Sequence, residues 1–343
     1  MQFDVRMVDI SSIKDQVEVF RESFEINDDV EDMISTWKKK HYENPIGNSI
    51  IFAAYDRDLM VGINAFMPVE YSYKGTSLRF VQSCESGVRV SYRRKGIWKQ
   101  IMQAAMQYFE SEGIVDAMIG FPNYKNSYPG FIRLGWKDIC NMSNSLMVLD
   151  GSKTFRAFLG KSLPIAGKIL NIQKVLPLLK SDGKMAVCKV DIGQMDFNCG
   201  ISADKIQINC NKDFITWKAG YKSIDLYKVK KGASDILALF CGHEKLDGVE
   251  YCEIYRIIQL SSDISLGKKA FARFVTYLSK QKKFAFIRAW EHEKQYDSIF
   301  YSSSGFIKTS SHPNPFIVHA SNKEIANIVS NNENWVLSFL DLD

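Results

Sequence analysis

A run of alternating apolar residues ends at Val88-Arg89-Val90, passes straight into Ser91-Tyr92-Arg93-Arg94-Lys95-Gly96, and continues from Ile97 as an amphipathic stretch. A strand that hands over to a helix through a cationic, glycine-containing loop leaves the first N–H groups of that helix without partners. Those donors, the positive end of the helix dipole and the three cations together suit a pyrophosphate. Val88 and Val90 alternate as a half-buried strand does. Ile97, Ile101, Ala104, Ala105, Tyr108 and Phe109 recur at helical spacing, with Lys99, Gln100, Gln103 and Glu110 opposite and Gly113 beyond the end. A basic turn before an ordinary surface helix has the same residues, so the surrounding order of elements has to decide.

Read from the start, Gln2–Val8 predicts a strand, and Ile13, Val17, Phe20 and Phe24 a helix behind Ser11 or Ser12. A second helix carries Val30, Met33, Ile34 and Trp37. After the break at Asn44–Asn48, the segments Ile50–Tyr55, Leu59–Pro68 and Leu78–Val90 form a meander of strands with turns at Asp56–Asp58 and Lys74-Gly75. Gly87 within the third strand marks a bulge. Val115–Phe121 follows as a strand, then a short helix over Ser127–Leu134 and a last strand through Val148.

This order, and the residues at its key points, resemble the GNAT superfamily of acyl-CoA N-acyltransferases. Its motif A reads Q/R-x-x-G-x-G/A; Arg93 matches the first position and Gly96 the glycine, while Trp98 stands where the family usually has Gly or Ala. Phe121-Pro122-Asn123, Ser127-Tyr128-Pro129 and Leu134-Gly135-Trp136 resemble the second GNAT motif as it occurs in acetyltransferases of surface-polysaccharide gene clusters. The resemblance implies that Arg93, Arg94, Lys95, Gly96, Ile97 and Trp98 hold the pyrophosphate of acetyl-CoA. It further implies that the backbone of Val88, Arg89 and Val90 takes the pantetheine amides by strand-like pairing, and that Asn123 and Phe131 flank the cofactor arm. Where many GNAT enzymes have a tyrosine acid four residues before the final glycine, this chain has Phe131. Either Tyr128 protonates the thiolate or no side chain does. Glu85 lies where many members keep a carboxylate; as a general base it needs a pKa raised by burial, and the alternative is a solvated strand glutamate. Cys84 reads as core.

The second half repeats the first faintly. Phe214-Ile215-Thr216-Trp217-Lys218 echoes Met33–Lys38, and Phe284–Phe306 aligns without a gap on Ile114–Trp136, placing Tyr301 on Phe131. The equivalent of the cationic loop, Ser261–Gly267, has no Arg–Gly pair and carries Asp263, which would repel a diphosphate. The expected fold is therefore α/β (α+β), two tandem GNAT-like domains, each a mixed, mostly antiparallel twisted sheet flanked by helices. Residues 1–150 bind acetyl-CoA, 151–190 form a basic helical linker, and 191–343 are a degenerate copy that shapes the acceptor site.

A length of 343 residues exceeds a single ordinary core. The net charge of +5 is mild, but residues 151–190 hold eight Lys or Arg against one acid, Asp182. Within them Ile165, Ile169, Ile172, Leu176 and Leu179 share a helical face, with Pro177 as a kink. The segment 161–180 is either an interdomain helix or a contact for a membrane surface. Seven cysteines without metal-type spacing, no apolar run near 18 residues and no N-terminal signal lead us to expect a cytoplasmic protein. The five histidines show no ligand spacing, so no metal is expected, and no nucleic-acid signature appears; His243-Glu244 and Glu291-His292 are candidates for an acceptor pocket. The expected activity is transfer of an acetyl group from acetyl-CoA to a primary amine, an amino sugar in surface-polysaccharide biosynthesis, nucleotide- or lipid-linked. A Fem-type aminoacyl or peptide transferase and a non-catalytic acyl-CoA-binding scaffold are the alternatives.

Overall fold

The computed structural model describes residues 2–160, 175–196, 202–291 and 297–342. The sequence's helix-strand order holds throughout the first half. Strand β1 (Asp4–Val8) leads into helices α1 (Ile13–Phe24) and α2 (Val30–Tyr42), followed by β2 (Ile50–Asp56), β3 (Leu59–Tyr73) and β4 (Thr76–Val88). Helix α3 (Ile97–Glu112), β5 (Ala117–Gly120), α4 (Tyr128–Arg133) and β6 (Lys137–Val148) complete it, and α5 (Gly151–Leu159) follows. Lys74-Gly75 turns the β3–β4 hairpin with both residues at positive φ, 51° and 78°, as a two-residue turn matched to strand twist requires.

The second half supplies β7 (Ala186–Val190), β8 (Ile206–Ile208), β9 (Ile224–Lys231), β10 (Ser234–Leu246), β11 (Val249–Gln259), β12 (Phe286–Glu291), β13 (Ile307–His319) and β14 (Trp335–Val336). In the gapless alignment of the two halves, Ser298–Ser303 is helical where α4 lies, and β13 starts where β6 starts. The expected linker falls mostly outside the described residues, including Ile165, Ile169 and Ile172; Val175–Lys180 is helical, with Pro177 buried in its first turn.

The described strands join in one sheet, ordered β1-β2-β3-β4-β5-β13-β6-β12-β11-β10-β9-β7, with β8 and β14 at the side of β3. Each half's last strand is lodged in the other half's territory. β13 pairs antiparallel with β5 through Ile317↔Gly120, and β6 pairs with β12 through Phe286↔Val148 to Glu291↔Ser143. On one face, Ile97, Ile101, Met102, Ala105 and Phe109 of α3 pack on Phe52, Phe66 and Ile317. Another core cluster runs across both halves, joining Tyr71 and Phe80 to Phe240, Tyr255, Trp290 and Trp335.

Polar stitches follow the same path. Arg256 of β11 is fully buried beside Gln207 and Ser338, and the hydroxyl of Tyr71 donates to Asp341 at 2.9 Å. The ammonium of Lys218 donates to the carbonyls of Leu340 and Leu342 at 2.6 and 2.8 Å. Cys84, Cys140, Cys188, Cys210, Cys241 and Cys252 form no disulfide. Among the described residues no helix is long and apolar enough to cross a membrane.

Candidate active site

β4 and β5 run parallel from Phe80↔Ala117 to Ser83↔Gly120. There β5 ends, while β4 continues to Val88, so β4 faces an open space instead of a neighbour. That space is a cleft of about 920 Å³, walled by Ser83–Val88 of β4, by Phe20, Ser23 and Phe24 of α1, by Arg93 and Arg94, and by Phe121–Asn123, Lys125–Ser127 and Phe131. The expected bulge is present: Ile63 pairs with Gly87 and Ala65 with Cys84, leaving Asn64 alone opposite Glu85 and Ser86. Glu85 takes φ of 43° there, a conformation rarely held by a residue with a side chain. Asn64 is fully buried and holds the bulge by accepting from the Ser86 hydroxyl and donating to Ser83 Oγ at 3.1 Å.

Beyond β4 the chain reaches α3 through Gly96, whose φ of 77° is left-handed. No side chain caps this helix, and its first internal bond is donated by Gln100 to the Gly96 carbonyl at 3.2 Å. The helix itself therefore makes no use of the N–H groups of Ile97, Trp98 and Lys99. Arg93 donates from its guanidinium to the Ser23 carbonyl at 2.5 Å, which fixes the loop against α1. Trp98 is explained by its partner across the gap: its ring lies on Phe131, 4.9 Å between centroids, and over Gly130, where a Cβ would come within 2.6 Å of it. A glycine lost at one motif position is thus compensated by a glycine at another. The corresponding helix of the second half, Ile264–Gln281, is closed by its own carboxylate, since Asp263 accepts from the N–H groups of Ser265 and Leu266 at 2.8 and 3.2 Å.

Of the residues singled out from sequence, Glu85, Val88, Arg93, Arg94, Asn123 and Phe131 line the cleft. Lys95, Gly96, Ile97 and Trp98 form the loop and helix start behind it; Ile97 is a core side chain and Lys95 lies over the Tyr92 ring. Three assignments are corrected. Arg89 turns away, ion-paired with Glu22 and donating to the Met60 carbonyl at 2.7 Å, and its N–H is taken by Val61. Val90 is exposed, and its N–H donates to Glu22 at 3.2 Å. Because neighbouring N–H groups of a strand point to opposite edges, the Val88 N–H faces the cleft. Tyr128 does not line the cleft: its hydroxyl donates to Asp138 at 2.7 Å, a bond to an anion that pushes its pKa up to about 12. Asn123 closes an Asx turn, its side-chain oxygen accepting from the N–H groups of Lys125 and Asn126, so only its amide NH2 remains for a ligand.

Glu85 differs most from expectation. Burial alone would raise its pKa, but the Lys40 ammonium bonded to it, and then His41, outweigh burial and hold the carboxyl well below its ordinary value. His41 is fully buried between Glu85, 3.3 Å from Nε2, and the Ser49 hydroxyl, 2.9 Å from Nδ1. Sequence reading missed Lys40 and His41, because an apolar spacing argument treats a lysine and a histidine at the end of α2 as solvated; Trp37 three residues before Lys40 was the available signal of a buried face. His41, Cys84 and Glu85 bring donor atoms within 4.8 Å of one another, and the Lys40 ammonium is already bonded to Glu85 there.

A second cavity of about 520 Å³ adjoins the cleft, sharing Phe20 and Glu85 with it. Its other walls are Ile26, Asp28 and Asp29, the α2 residues Asp32, Met33, Thr36, Trp37 and Lys40, and Tyr221 and Lys222 from the second half. α1 and α2 are held together over it by Gln16, which accepts from the Trp37 indole at 2.9 Å and donates to the Tyr42 hydroxyl at 2.9 Å.

Residues 4–138 match the family model described as an acetyltransferase (GNAT) domain. Among solved structures the chain is similar to a GCN5-related N-acetyltransferase from Anabaena variabilis, with a TM-score of 0.63 and 11% identity over 96% of this chain and 75% of that one. It is also similar to N-myristoyltransferase of Saccharomyces cerevisiae with bound myristoyl-CoA, at a TM-score of 0.58 and 11% identity over 92% and 82% of the two chains. A third similar structure is the GCN5-related glucosamine N-acetyltransferase region of a fungal multi-domain β-N-acetylglucosaminidase, at 0.55 and 13% identity over 93% of this chain and 38% of that chain. No curated protein matches the sequence. At these identities the neighbours establish the fold; residues 4–138 match an acetyltransferase (GNAT) domain, the chain is an acyltransferase, and its co-substrate is acetyl-CoA.

Proposed function

We propose that the protein is an acetyl-CoA-dependent N-acetyltransferase that acylates a primary amine directly, with the donor in the β4–α3 cleft. The observation that carries this reading is the cleft itself: a parallel strand pair that parts after Ser83, opposite a left-handed glycine and an uncapped helix start flanked by Arg93 and Arg94. A diphosphate fits the uncapped helix start, and an extended amide arm fits the open edge of β4, paired through the Val88 N–H. The same reading gives a tandem chain, with residues 1–150 as the donor-binding domain, 151–190 as a connection and 191–343 as a copy that binds no donor because Asp263 seals its helix. The likeness to the glucosamine N-acetyltransferase region supports an amino sugar as acceptor, and the motif around Phe121–Trp136 supports surface-polysaccharide synthesis; the described cysteines, which form no disulfide, fit a reducing, cytoplasmic setting.

The reaction forms a C–N bond at the thioester carbonyl and breaks the C–S bond. The Val88 N–H faces the place where negative charge develops on the carbonyl oxygen. Glu85, held ionised, draws the acceptor's ammonium to the junction of the two cavities, and the nucleophile is the free amine in equilibrium with it. Tyr128 is engaged with Asp138 and Phe131 has no proton to give, so the thiolate leaves without a side-chain acid and takes up, through solvent, the proton that the nitrogen sheds. Thiol release from acetyl-CoA, followed across amino sugars, alkyl amines and peptides, tests the proposal: release with an amine and none without it is the expected result, and acetyl-CoA binding with no release for any acceptor would mean a scaffold.

A further inference from the structure

The second cavity carries information about the acceptor that the donor cleft does not. It touches the cleft at Phe20 and Glu85, so a molecule lying in it presents one end to the reacting centre. Its walls are apolar and aromatic in the middle, with Ile26, Met33, Trp37 and Tyr221, and acidic at the far end, with Asp28, Asp29 and Asp32. The charges do not cancel locally. Lys40 is matched by Glu85, and Lys222 donates to the Leu342 carbonyl at 3.3 Å. Asp29 spends one oxygen on capping α2. Among the described residues the carboxylates of Asp28 and Asp32 have no ion pair or hydrogen bond.

We propose that this second cavity is the acceptor site and that it takes a dicationic amine. One nitrogen reaches Glu85 to be acylated, a short apolar stretch lies against Trp37 and Tyr221, and a second ammonium rests between Asp28 and Asp32. The length follows from α2, which carries both ends of the cavity: Asp32 and Lys40 are eight residues apart, about 12 Å along the axis. A chain of that reach suits a long diamine or an amino sugar bearing a remote ammonium, and a single glucosamine ring falls short of it. Tyr221 comes from the second half, so the acceptor site is complete only when both halves are present. The inference rests on the acetyltransferase reading and adds the acceptor's charge and length.

Steady-state kinetics of the full chain with diaminooctane, diaminobutane, octylamine and glucosamine, each with saturating acetyl-CoA, provide the test. Diaminooctane is expected to give the highest kcat/KM, by about five- to tenfold over octylamine, the size of one or two exposed ion pairs. That advantage shrinks as salt is raised, and it falls to near unity in the double substitution Asp28→Asn with Asp32→Asn. The same double variant is checked by calorimetric titration with acetyl-CoA, since donor binding at wild-type strength shows that the chain is folded. Octylamine or glucosamine equal to or better than diaminooctane would overturn the dicationic acceptor while leaving the acetyltransferase reading intact. Thiol release with none of the four, in a protein that binds acetyl-CoA, counts against that reading instead.

Discussion

Glu85 is a buried carboxylate kept ionised by a buried ammonium, and its stability contribution has a defined sign. A group whose folded pKa lies below its unfolded value stabilises the fold above the ordinary carboxylate pKa, and the contribution fades as pH falls through the folded value. Glu85→Gln removes the negative charge that the buried Lys40 ammonium is bonded to, at a cost of about 3 kcal/mol. The urea midpoint should therefore drop at neutral pH, and the gap to the wild type should close on acidification below the ordinary carboxylate range. Equal midpoints at neutral pH would show that the pair contributes nothing. For donor binding, Arg93→Ala removes a charge at the cleft, worth about 1.5–3 kcal/mol, while Gly96→Ala introduces only backbone strain and Gly96→Glu adds a negative charge at the proposed phosphate site. Calorimetric titration with acetyl-CoA should rank the two glycine variants Ala above Glu; equal affinities would place the phosphates elsewhere. Tyr128→Phe breaks one bond to Asp138 on the far side of α4 and should turn over at nearly the wild-type rate, whereas a hundredfold loss would restore the acid role that the sequence motif suggested.

Helix starts separate the two halves. α3 begins on an uncapped glycine at the cleft, and the helix Ile264–Gln281 begins on Asp263, which uses the donors that a phosphate would need. One acetyl-CoA per chain is the expected stoichiometry, and two would contradict it. Trp98 bridges α3 to α4, so Trp98→Ala strips a half-buried contact from Phe131 and Gly130 and should cost about 1–3 kcal/mol in thermal or denaturant unfolding. Elements of this kind were legible in the sequence because period, turn residues and caps are local: the positive φ at Lys74-Gly75, the bulge before Gly87 and the short helix before Gly135 all lie where the residue pattern puts them. What was not legible is what depends on a partner far along the chain. The pairing of Lys40 with Glu85, the turn of Arg89 toward Glu22 and the fit of Trp98 on Gly130 join residues whose sequence separation hides them.

At the scale of the molecule, the order β5-β13-β6-β12 decides how the chain unfolds. A shared sheet and a core cluster that crosses from Tyr71 to Trp335 couple the halves, so heating or urea should give one transition, coincident by tryptophan fluorescence and far-ultraviolet circular dichroism. Two resolved transitions would mean that the halves fold separately in spite of the exchange.

A second half with no cationic glycine loop of its own would ordinarily be free to drift wherever it lies away from the acceptor. Here β5 has β13 on its outer side and β6 lies between β13 and β12, so a frameshift or truncation in the second half strips the first half's sheet beside its cleft. Natural selection on turnover at the first half's cleft therefore acts as purifying selection on residues of the second half that never touch the donor, and these are retained as masonry.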